Sequence, residues 1–177
     1  YPFKVFKIWE GGMSFHGALI GIVIGTYLFS VKKGIKLFLL LDIIACVSPI
    51  GIFFGRIANF INSELVGKVT NVKWSVVFPI IDLMKRHPSQ IYEAILEGVI
   101  LFIIMCIVVS KKNYKIGTCS ILFLISYGVF RIISEIFREP DVQIGYLFNF
   151  ISMGALLSVL MILTGTIIYF YLKRNEK

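Results

Sequence analysis

The stretch QIYEAILEGVILFIIMCIVV, residues 90–109, decides the fold class of this sequence. A helix needs about 20 mostly apolar residues to cross the hydrocarbon core of a bilayer, and this stretch has that length with only two charged side chains. Similar stretches recur along the chain and give five predicted membrane spans, at about 14–31, 35–54, 90–109, 116–137 and 146–172. We therefore predict an all-α integral membrane protein, a polytopic helix bundle that forms a single transmembrane domain.

The composition agrees with this class. Of the 177 residues, 58% are hydrophobic and only 16% are charged, and the mean hydropathy is +0.88. Soluble domains are about half apolar and a quarter charged, and disordered chains have low hydrophobicity, so both classes are excluded. The formal net charge of +8 would suggest nucleic acid in a soluble chain. In a membrane chain we expect the bilayer, and no nucleic acid, as the partner of these lysines.

The positions of the basic residues predict the orientation. Half of the eighteen lie in three short segments: Lys32, Lys33 and Lys36; Lys111, Lys112 and Lys115; Lys173, Arg174 and Lys177. Five spans place these segments on one side, which the positive-inside rule makes the cytoplasm. We expect 32–34, 110–115 and 173–177 to be cytoplasmic, with residues 1–13, the partly buried loop region 55–89 and the turn near Pro140 facing outward. Within that loop, 73–79 is interpreted as a short strand or as an interfacial segment anchored by Trp74.

Polar residues fall along one face of the fourth predicted span. They lie at offsets 0, 4, 7, 8 and 11, which share a helical stripe, and are Tyr127, Arg131, Ser134, Glu135 and Arg138. A central charged side chain costs roughly 2.5 to 3.5 kcal/mol on insertion scales. The stripe is therefore either a self-neutralising ion cluster or an anion site. Its surplus of positive charge favours the anion site.

Two carboxylates enter the third predicted span, behind the sequence His87-Pro88-Ser89-Gln90. Gln90, Glu93 and Glu97 share a helical face. Carboxylates in a membrane need partners, and Arg56, Arg131 and Arg138 are the candidates on the outer side. A purely structural ion-pair network is the alternative, and it explains Glu97 better than Glu93.

Three further groups are candidates near the spans. His16 precedes a stripe of glycines and is either a proton acceptor or a hydrogen-bonded structural group. Arg56 and Asn59 follow the second span; Arg holds phosphate bidentately and Asn orients it. The alternative is a re-entrant loop whose polar groups satisfy each other. Asp42 and Pro49 are interpreted as a pairing and a kink rather than as reactive groups.

Four motifs together give a resemblance to a known family. They are Gly-Gly-Met-Ser-Phe-His-Gly at 11–17, Gly-Arg-x-x-Asn-Phe-x-Asn-x-Glu-x-x-Gly at 55–67, Arg-His-Pro-Ser-Gln-x-Tyr-Glu at 86–93, and Tyr-Gly-x-x-Arg with Phe-Arg-Glu-Pro-Asp at 127–141. In this order they resemble the phosphatidylglycerol–prolipoprotein diacylglyceryl transferases. The sequence begins at Tyr1 without an initiator methionine, and the resemblance implies the C-terminal part of a seven-helix chain that lacks its first two helices.

The resemblance implies an enzyme of lipoprotein maturation in the bacterial cytoplasmic membrane. Such a transferase moves the diacylglyceryl group of phosphatidylglycerol onto the thiol of a prolipoprotein's lipobox cysteine, forming a thioether and releasing glycerol 1-phosphate. The implied partners are phosphatidylglycerol and the prolipoprotein signal peptide. No cofactor and no metal are implied, because the lipid is itself the activated donor.

Carried over residue by residue, the resemblance assigns the implied site. The catalytic residues are His16, Arg56 and Arg131. Phosphatidylglycerol is assigned to Arg56, Asn59, Tyr127 and Arg131. The supporting residues are Glu64, Gly67, His87, Gln90, Glu93, Glu135 and Arg138. The two arginines suit the phosphate, and His16 is a candidate acceptor for the thiol proton, although it can instead bind the lipid headgroup.

The sequence departs from the family pattern at four positions: Ala18, Ala58, Ala155 and Leu160. An added methyl at 18 or 58 is expected to crowd the backbone or disfavour a left-handed conformation. Two alternatives to the transferase remain open, and the four departures support the first of them. One is a non-catalytic lipid-binding relative, and the other is a transporter or channel subunit, in which ionisable groups also line a helix bundle.

Overall fold

The protein is described by a computed structural model covering the backbone of residues 15–139, 146–147 and 151–175. Five helices account for most of these residues: α1 Phe15–Lys33, α2 Leu37–Ile61, α3 Ser89–Val109, α4 Thr118–Glu135 and α5 Met153–Asn175. Two short antiparallel hairpins complete the fold, β1 Val76–Val77 with β2 Lys85–Arg86 and β3 Tyr146–Leu147 with β4 Ile151–Ser152. The predicted all-α membrane class is confirmed, with these hairpins as small additions.

Within the described part of the chain, four helices are long and apolar enough to cross a membrane: α2, α3, α4 and α5 over Met153–Arg174. They correspond to the second to fifth predicted spans. The predicted span 14–31 falls on α1, where the side chains of residues 15–20 lie outside the described part of the chain. The count of five therefore remains a prediction. Gly21 and Gly25, which belong to the glycine stripe after His16, do not pack against another described helix, since a Cβ at either position would have nothing within 4 Å.

Two boundaries differ from the sequence prediction. Helix α2 continues to Ile61, so Arg56 and Asn59 lie on its last two turns and not in a loop. It continues because Arg56 finds carboxylate partners in α3 and no residue before Asn62 forces an end. Helix α5 starts at Met153 and not at 146, because residues 146–147 pair with β4 and the Ser152 hydroxyl accepts a hydrogen bond from the Ala155 amide, 3.1 Å away, as an N-cap.

The sequence predicts that Asp42 is paired without naming its partner, and in the structure the partner is the start of α4. Its carboxylate is 2% exposed and accepts hydrogen bonds from the Gly117 amide at 2.5 Å, from the Ser120 amide at 2.7 Å and from the Ser120 hydroxyl at 2.5 Å. The Tyr114 hydroxyl donates a fourth. Burial, followed by this bond, raises the pKa of Tyr114, which keeps the phenol a donor. A buried anion on α2 thus caps the positive end of the α4 dipole.

The core lies between α2, α3 and α4, and α4 packs most extensively on α5. Its buried members are Ala45, Leu101, Met105, Val108 and Cys119. Close helix approach depends on glycines, of which Gly98 and Gly128 are two examples. A Cβ at Gly98 would lie 2.7 Å from the Cβ of Phe53 on α2, and one at Gly128 would lie 2.8 Å from the Ser158 carbonyl of α5.

Within α3, residues Ala94–Ile100 form a π-helical segment. In a regular α-helix each step of four residues turns the side chain by about 40° around the axis, and the wider π turn counteracts this drift. Glu93, Glu97, Leu101 and Met105 are each four residues apart and are all at most 1% exposed. The π segment therefore aligns two carboxylates with the apolar core along one face.

Candidate functional site

Charged side chains from α2, α3 and α4 meet at one end of the bundle. Arg56 Nε lies 2.8 Å from Glu93 Oε2, and Arg131 Nη1 approaches the same oxygen at 2.9 Å. Glu97 lies beneath, with its Oε2 3.3 Å from Arg56 Nη2 and its Oε1 3.7 Å from Arg131 Nη1. Two guanidinium groups from different helices thus converge on one buried carboxylate. We call the set Arg56, Glu93, Glu97, Arg131, Glu135 and Arg138 the Arg/Glu cluster.

The remaining members lie at the end of α4 and just beyond it. Arg131 Nη2 is hydrogen-bonded to Glu135, one turn further along the helix. Arg138 Nη1 lies 3.9 Å from Glu93 Oε1. The three arginines predicted as partners of the α3 carboxylates are therefore their partners in the structure. Glu93, 1% exposed, contacts all three, so it is more central than Glu97.

The formal charges of the cluster balance. Three arginines face three glutamates, so the surplus of positive charge expected from the α4 stripe alone is wrong for the assembled cluster. The single excess positive charge on the α4 stripe is offset because Glu93 and Glu97 of α3 lie in the same cluster. An anion entering here would meet guanidinium groups that are held in place by carboxylates rather than a free positive field.

Although the formal charges of the cluster balance, several of its buried polar atoms are left without a hydrogen bond. Both oxygens of Glu93, Glu97 Oε1 and Arg131 Nη1 are buried, and among the described residues they lack a partner with hydrogen-bond geometry, despite the short ion-pair distances. Gln90 Oε1 and the Ser134 hydroxyl, on the same faces of α3 and α4, share this condition. Most buried polar atoms in proteins are hydrogen-bonded. This end of the bundle therefore has donors and acceptors available for a polar group.

A loop packs across the cluster and fixes the ends of the helices. The Gly67–Arg138 pair forms an isolated β-bridge, and the Lys68 amide donates to the Phe137 carbonyl at 2.9 Å. Gln90 Nε2 donates to the Glu64 carbonyl at 2.6 Å. Glu64 contributes this backbone group, and its side chain is exposed and outside the cluster.

Gly67 occupies a space that no side chain fits. An added Cβ would collide with the His87 carbonyl oxygen and lie 2.8 Å from the His87 Cβ and 2.9 Å from the Phe137 carbonyl. These contacts join the loop to the start of α3 and the end of α4 at once. The predicted supporting role of Gly67 thus has a steric basis in this close approach.

His87 lies in an aromatic group beside the cluster. Its ring packs edge-on against Tyr92 and Phe137, with centroids 5.9 and 5.2 Å away, and its Nδ1 is 3.2 Å from the Tyr92 hydroxyl. Trp74 Nε1 donates to that hydroxyl at 2.6 Å. Sequence reasoning missed Trp74 and Phe137 as neighbours of His87, since neither carries a polar signal at helical spacing.

Tyr127, Asn59 and His16 are less constrained by the structure. The Tyr127 ring stacks on Phe123, with centroids 5.7 Å apart, one turn from Arg131 on α4. Asn59 is half-buried, and within the described residues its side chain makes no hydrogen bond. His16 lies in the first turn of α1, and its side chain is outside the described part of the chain. Its predicted role therefore stays a prediction.

Gly154, a site residue that the sequence reasoning missed, lets α5 reach the cluster. A Cβ on Gly154 would collide with a carboxylate oxygen of Glu135 and lie 3.3 Å from Arg131 Nη2. Only hydrogen at this position leaves room for the Arg131–Glu135 pair. The capping serine two residues earlier was the available signal, since it places Gly154 in the first turn of a helix.

The departures from the family pattern are mild where the structure describes them. Ala58 lies within α2 in a right-handed helical conformation and is exposed, so the expected left-handed strain is wrong. Ala155 is half-buried and Leu160 is 51% exposed. Ala18 has its side chain outside the described part. Among the described residues, no group of three or more His, Cys, Asp or Glu is placed to hold a metal ion.

Comparison with known proteins identifies the family of this chain. A profile of the prolipoprotein diacylglyceryl transferase family matches residues 1–171. Proteins named phosphatidylglycerol–prolipoprotein diacylglyceryl transferase are similar over nearly the whole chain. The one from Rickettsia bellii is 53% identical over 174 residues, 97% of this chain and 65% of its own length. Those from Rickettsia felis and Ehrlichia canis are 51% and 53% identical, over 99% and 93% of this chain.

The chain spans 65–68% of the length of these relatives. The match nevertheless covers all of the elements that build the Arg/Glu cluster and its loop. The chain belongs to the prolipoprotein diacylglyceryl transferase family.

Proposed function

We propose that this chain carries the lipid-phosphate site of a phosphatidylglycerol–prolipoprotein diacylglyceryl transferase. One observation carries the proposal: Arg56 and Arg131, from different helices, converge on Glu93 at 2.8 and 2.9 Å at one end of a membrane-spanning bundle. Guanidinium groups bind phosphate oxygens bidentately, and such charge-assisted hydrogen bonds are roughly twice as strong as neutral ones. The names of the relatives supply the substrates, phosphatidylglycerol and prolipoprotein.

In the proposed reaction the sulfur of the lipobox cysteine attacks the phosphate-bearing carbon of the diacylglyceryl group. A carbon–sulfur bond forms, the carbon–oxygen bond breaks, and its electron pair leaves with glycerol 1-phosphate. The leaving group thereby gains negative charge. Arg56 and Arg131 are the proposed stabilisers of that charge, and Glu93 and Glu135 hold the two guanidinium groups in position.

The thiol must lose its proton, since the thiolate is the nucleophile. His16 is the proposed acceptor, with headgroup binding as its alternative role. Asn59 in the last turn of α2 and Tyr127, one turn before Arg131 in α4, are proposed to contact the lipid beside the arginines. The remaining supporting residues act through others: Gly67, His87 and Gln90 fix the loop, and Arg138 pairs with Glu93.

The proposed location is the bacterial cytoplasmic membrane, in a multi-pass topology. The basic segments near Lys111 and Lys173 favour a cytoplasmic position for the far end of the bundle. The Arg/Glu cluster, at the opposite end of α3 and α4, would then face outward, and the C-terminus would lie in the cytoplasm. Secreted prolipoproteins would meet the site on that face.

The test places the full-length protein in nanodiscs containing phosphatidylglycerol, with a lipobox peptide. Mass spectrometry of the peptide cysteine detects the diacylglyceryl thioether. We compare Arg131→Lys, which keeps the charge but loses the planar fork, with Arg174→Lys, an exposed arginine far from the cluster. We expect transfer by the parent and by Arg174→Lys, and at least about 100-fold less by Arg131→Lys.

Other results discriminate between the alternatives. A parent that binds phosphatidylglycerol without forming the thioether would identify a non-catalytic lipid-binding relative. Full transfer by Arg131→Lys would show that Arg131 supplies only a charge. Gel filtration of each variant checks that the folded state is retained.

A further inference from the structure

The hairpin between α2 and α3 ends in exposed apolar side chains. Strands β1 and β2 flank a turn at residues 78–84, which we call the hairpin tip. Ile80 is 80% exposed and Leu83 84%, and Ile81 and Met84 are 49% and 56% exposed. Four large apolar side chains on one turn are unusual for a surface in water, and such patches mark contacts with a protein or a membrane.

The hairpin tip is held rigidly. Asp82 accepts hydrogen bonds from Arg86 Nη2 at 2.6 Å and from Arg86 Nε at 3.1 Å, and also from the Met84 amide at 3.0 Å. Arg86 in turn donates to the Gly67 carbonyl at 3.0 Å. The apolar side chains are therefore presented by an ordered turn that is tied to the loop over the Arg/Glu cluster.

Phe78 anchors the start of the hairpin tip to the end of α2. It is 3% exposed, and its ring packs edge-on against Phe60 in the last turn of α2, with centroids 5.7 Å apart. Because α2 is a candidate membrane span, the start of the tip lies at the level where that span ends. Ile61, beside Phe60, is 73% exposed and continues the apolar surface of α2 toward the tip.

The residues around the tip are those typical of a bilayer interface. Trp74, 63% exposed, precedes β1, and tryptophan is enriched at the boundary between acyl chains and headgroups. The exposed lysines Lys73 and Lys85 flank the hairpin and suit anionic headgroups. An apolar tip with an aromatic neighbour and a basic flank, at the end of a spanning helix, has the features of an interfacial anchor.

We propose that the hairpin tip inserts into the interfacial layer of the bilayer beside the Arg/Glu cluster. Its occupant is lipid: Ile80, Ile81, Leu83 and Met84 lie among the upper acyl chains, and Lys73 and Lys85 lie among the headgroups. The tip then holds the loop containing Gly67 and His87 at the membrane surface. This proposal rests on the spanning helices and not on the proposed chemistry.

The test uses a photo-crosslinking amino acid, p-benzoylphenylalanine, in the full-length protein in nanodiscs containing phosphatidylglycerol. It replaces Leu83 or Ile80 in separate variants, and Asn71, an exposed polar residue of the same loop, in a matched control. After irradiation, intact-mass spectrometry counts lipid adducts. We expect at least about fivefold more lipid adduct at Leu83 and at Ile80 than at Asn71, because only groups inserted in the interface lie among acyl chains.

Two outcomes would overturn the proposal. Lipid adduct at Leu83 and Ile80 no greater than at Asn71 would place the tip in water. Adducts with this chain, with a second copy or with an added lipobox peptide in place of lipid would assign the patch to a protein partner. Because both probed side chains are more than three-quarters exposed, the substitutions leave the packing of the hairpin unchanged.

Discussion

At the scale of single residues, the site depends on glycines, which have no side chain, as much as on charged groups. Gly67 and Gly154 each touch groups that a methyl would displace, the His87 carbonyl in one case and the Glu135 carboxylate in the other. Overpacking of this kind typically costs about 1–3 kcal/mol. The arginines alone therefore do not define the site.

Gly67→Ala is expected to destabilise the loop by about 2 kcal/mol or more and to lower transfer strongly, because the new methyl must displace the His87 backbone. Thermal unfolding in detergent and the thioether assay measure the two effects. Gly55→Ala is the matched control, since a Cβ there meets nothing within 4 Å and Gly55 lies inside α2. Equal behaviour of the two variants would contradict the steric role of Gly67.

At the scale of elements, side chains from one segment complete the ends of another. Asp42 on α2 caps α4, the Ser152 hydroxyl caps α5, and the Asp82–Arg86 pair closes the hairpin. Each satisfies backbone or charged groups that would otherwise be unpaired at an element's end. These ends are fixed by interactions between elements, and they are the places where a single substitution has effects beyond its own helix.

Asp42→Ala is expected to cost about 2–4 kcal/mol, because it leaves two amides and two hydroxyls without their acceptor in a buried position. Thermal unfolding in detergent measures the change. Ser48→Ala, on the same helix, removes only a local bond to the Ile44 carbonyl and should cost much less. A cost for Asp42→Ala no larger than for Ser48→Ala would exclude the capping role.

The hairpin tether has a predictable pH dependence. Hydrogen bonding to Arg86 holds the pKa of Asp82 below its ordinary value of 3.8. A carboxyl whose pKa is lower in the folded state stabilises that state above 3.8, and the contribution disappears as the pH falls through the folded-state pKa. Hydrogen exchange of the Met84 amide, which donates to Asp82, should be slower in the parent than in Asp82→Asn at pH 7. The two rates should converge once the pH has fallen below the folded-state pKa of Asp82, which itself lies below 3.8, and a difference that persists at such a pH would contradict the assignment.

At the scale of the whole molecule, the bundle has two chemically different ends. The Arg/Glu cluster and its loop lie at one end, and the basic segment 111–115 follows α3 at the other. The asymmetry of lysine positions then predicts which end faces the cytoplasm. The orientation is thus a property of the chain as a whole and not of any one helix.

Cysteine labelling tests this orientation. A membrane-impermeant maleimide should modify Asn71→Cys in intact spheroplasts and should modify Asn113→Cys only after permeabilisation, since both asparagines are exposed and lie at opposite ends. The parent, with its three native cysteines, gives the background. The reverse pattern would place the cluster on the cytoplasmic side.

Much of this arrangement was predictable from the sequence, and the exceptions have physical causes. The spans follow from hydropathy, and the pairing of Glu93 with Arg56, Arg131 and Arg138 follows because buried carboxylates need cations. The end of α2 was missed because Arg56 looks like a loop residue until Glu93 and Glu97 are placed opposite it. Gly154 was missed because the role of a glycine depends on which groups pack against it, and these are known only once the helices are placed in the fold.

The π-helical segment Ala94–Ile100 makes the facing of α3 tolerant of a change in length. A π segment holds one more residue than the α-helix it replaces, so deleting a single residue of this segment other than Glu97 would restore a regular helix. Glu93 and Leu101 would then be seven α-helical steps apart, about 700° in total, which is only about 20° short of two full turns. Glu93 would therefore still face Arg56 and Arg131 while Leu101 and Met105 remained in the core. A one-residue gap in this segment of a related sequence would accordingly mark a regular helix that keeps the same alignment between its polar and its apolar half.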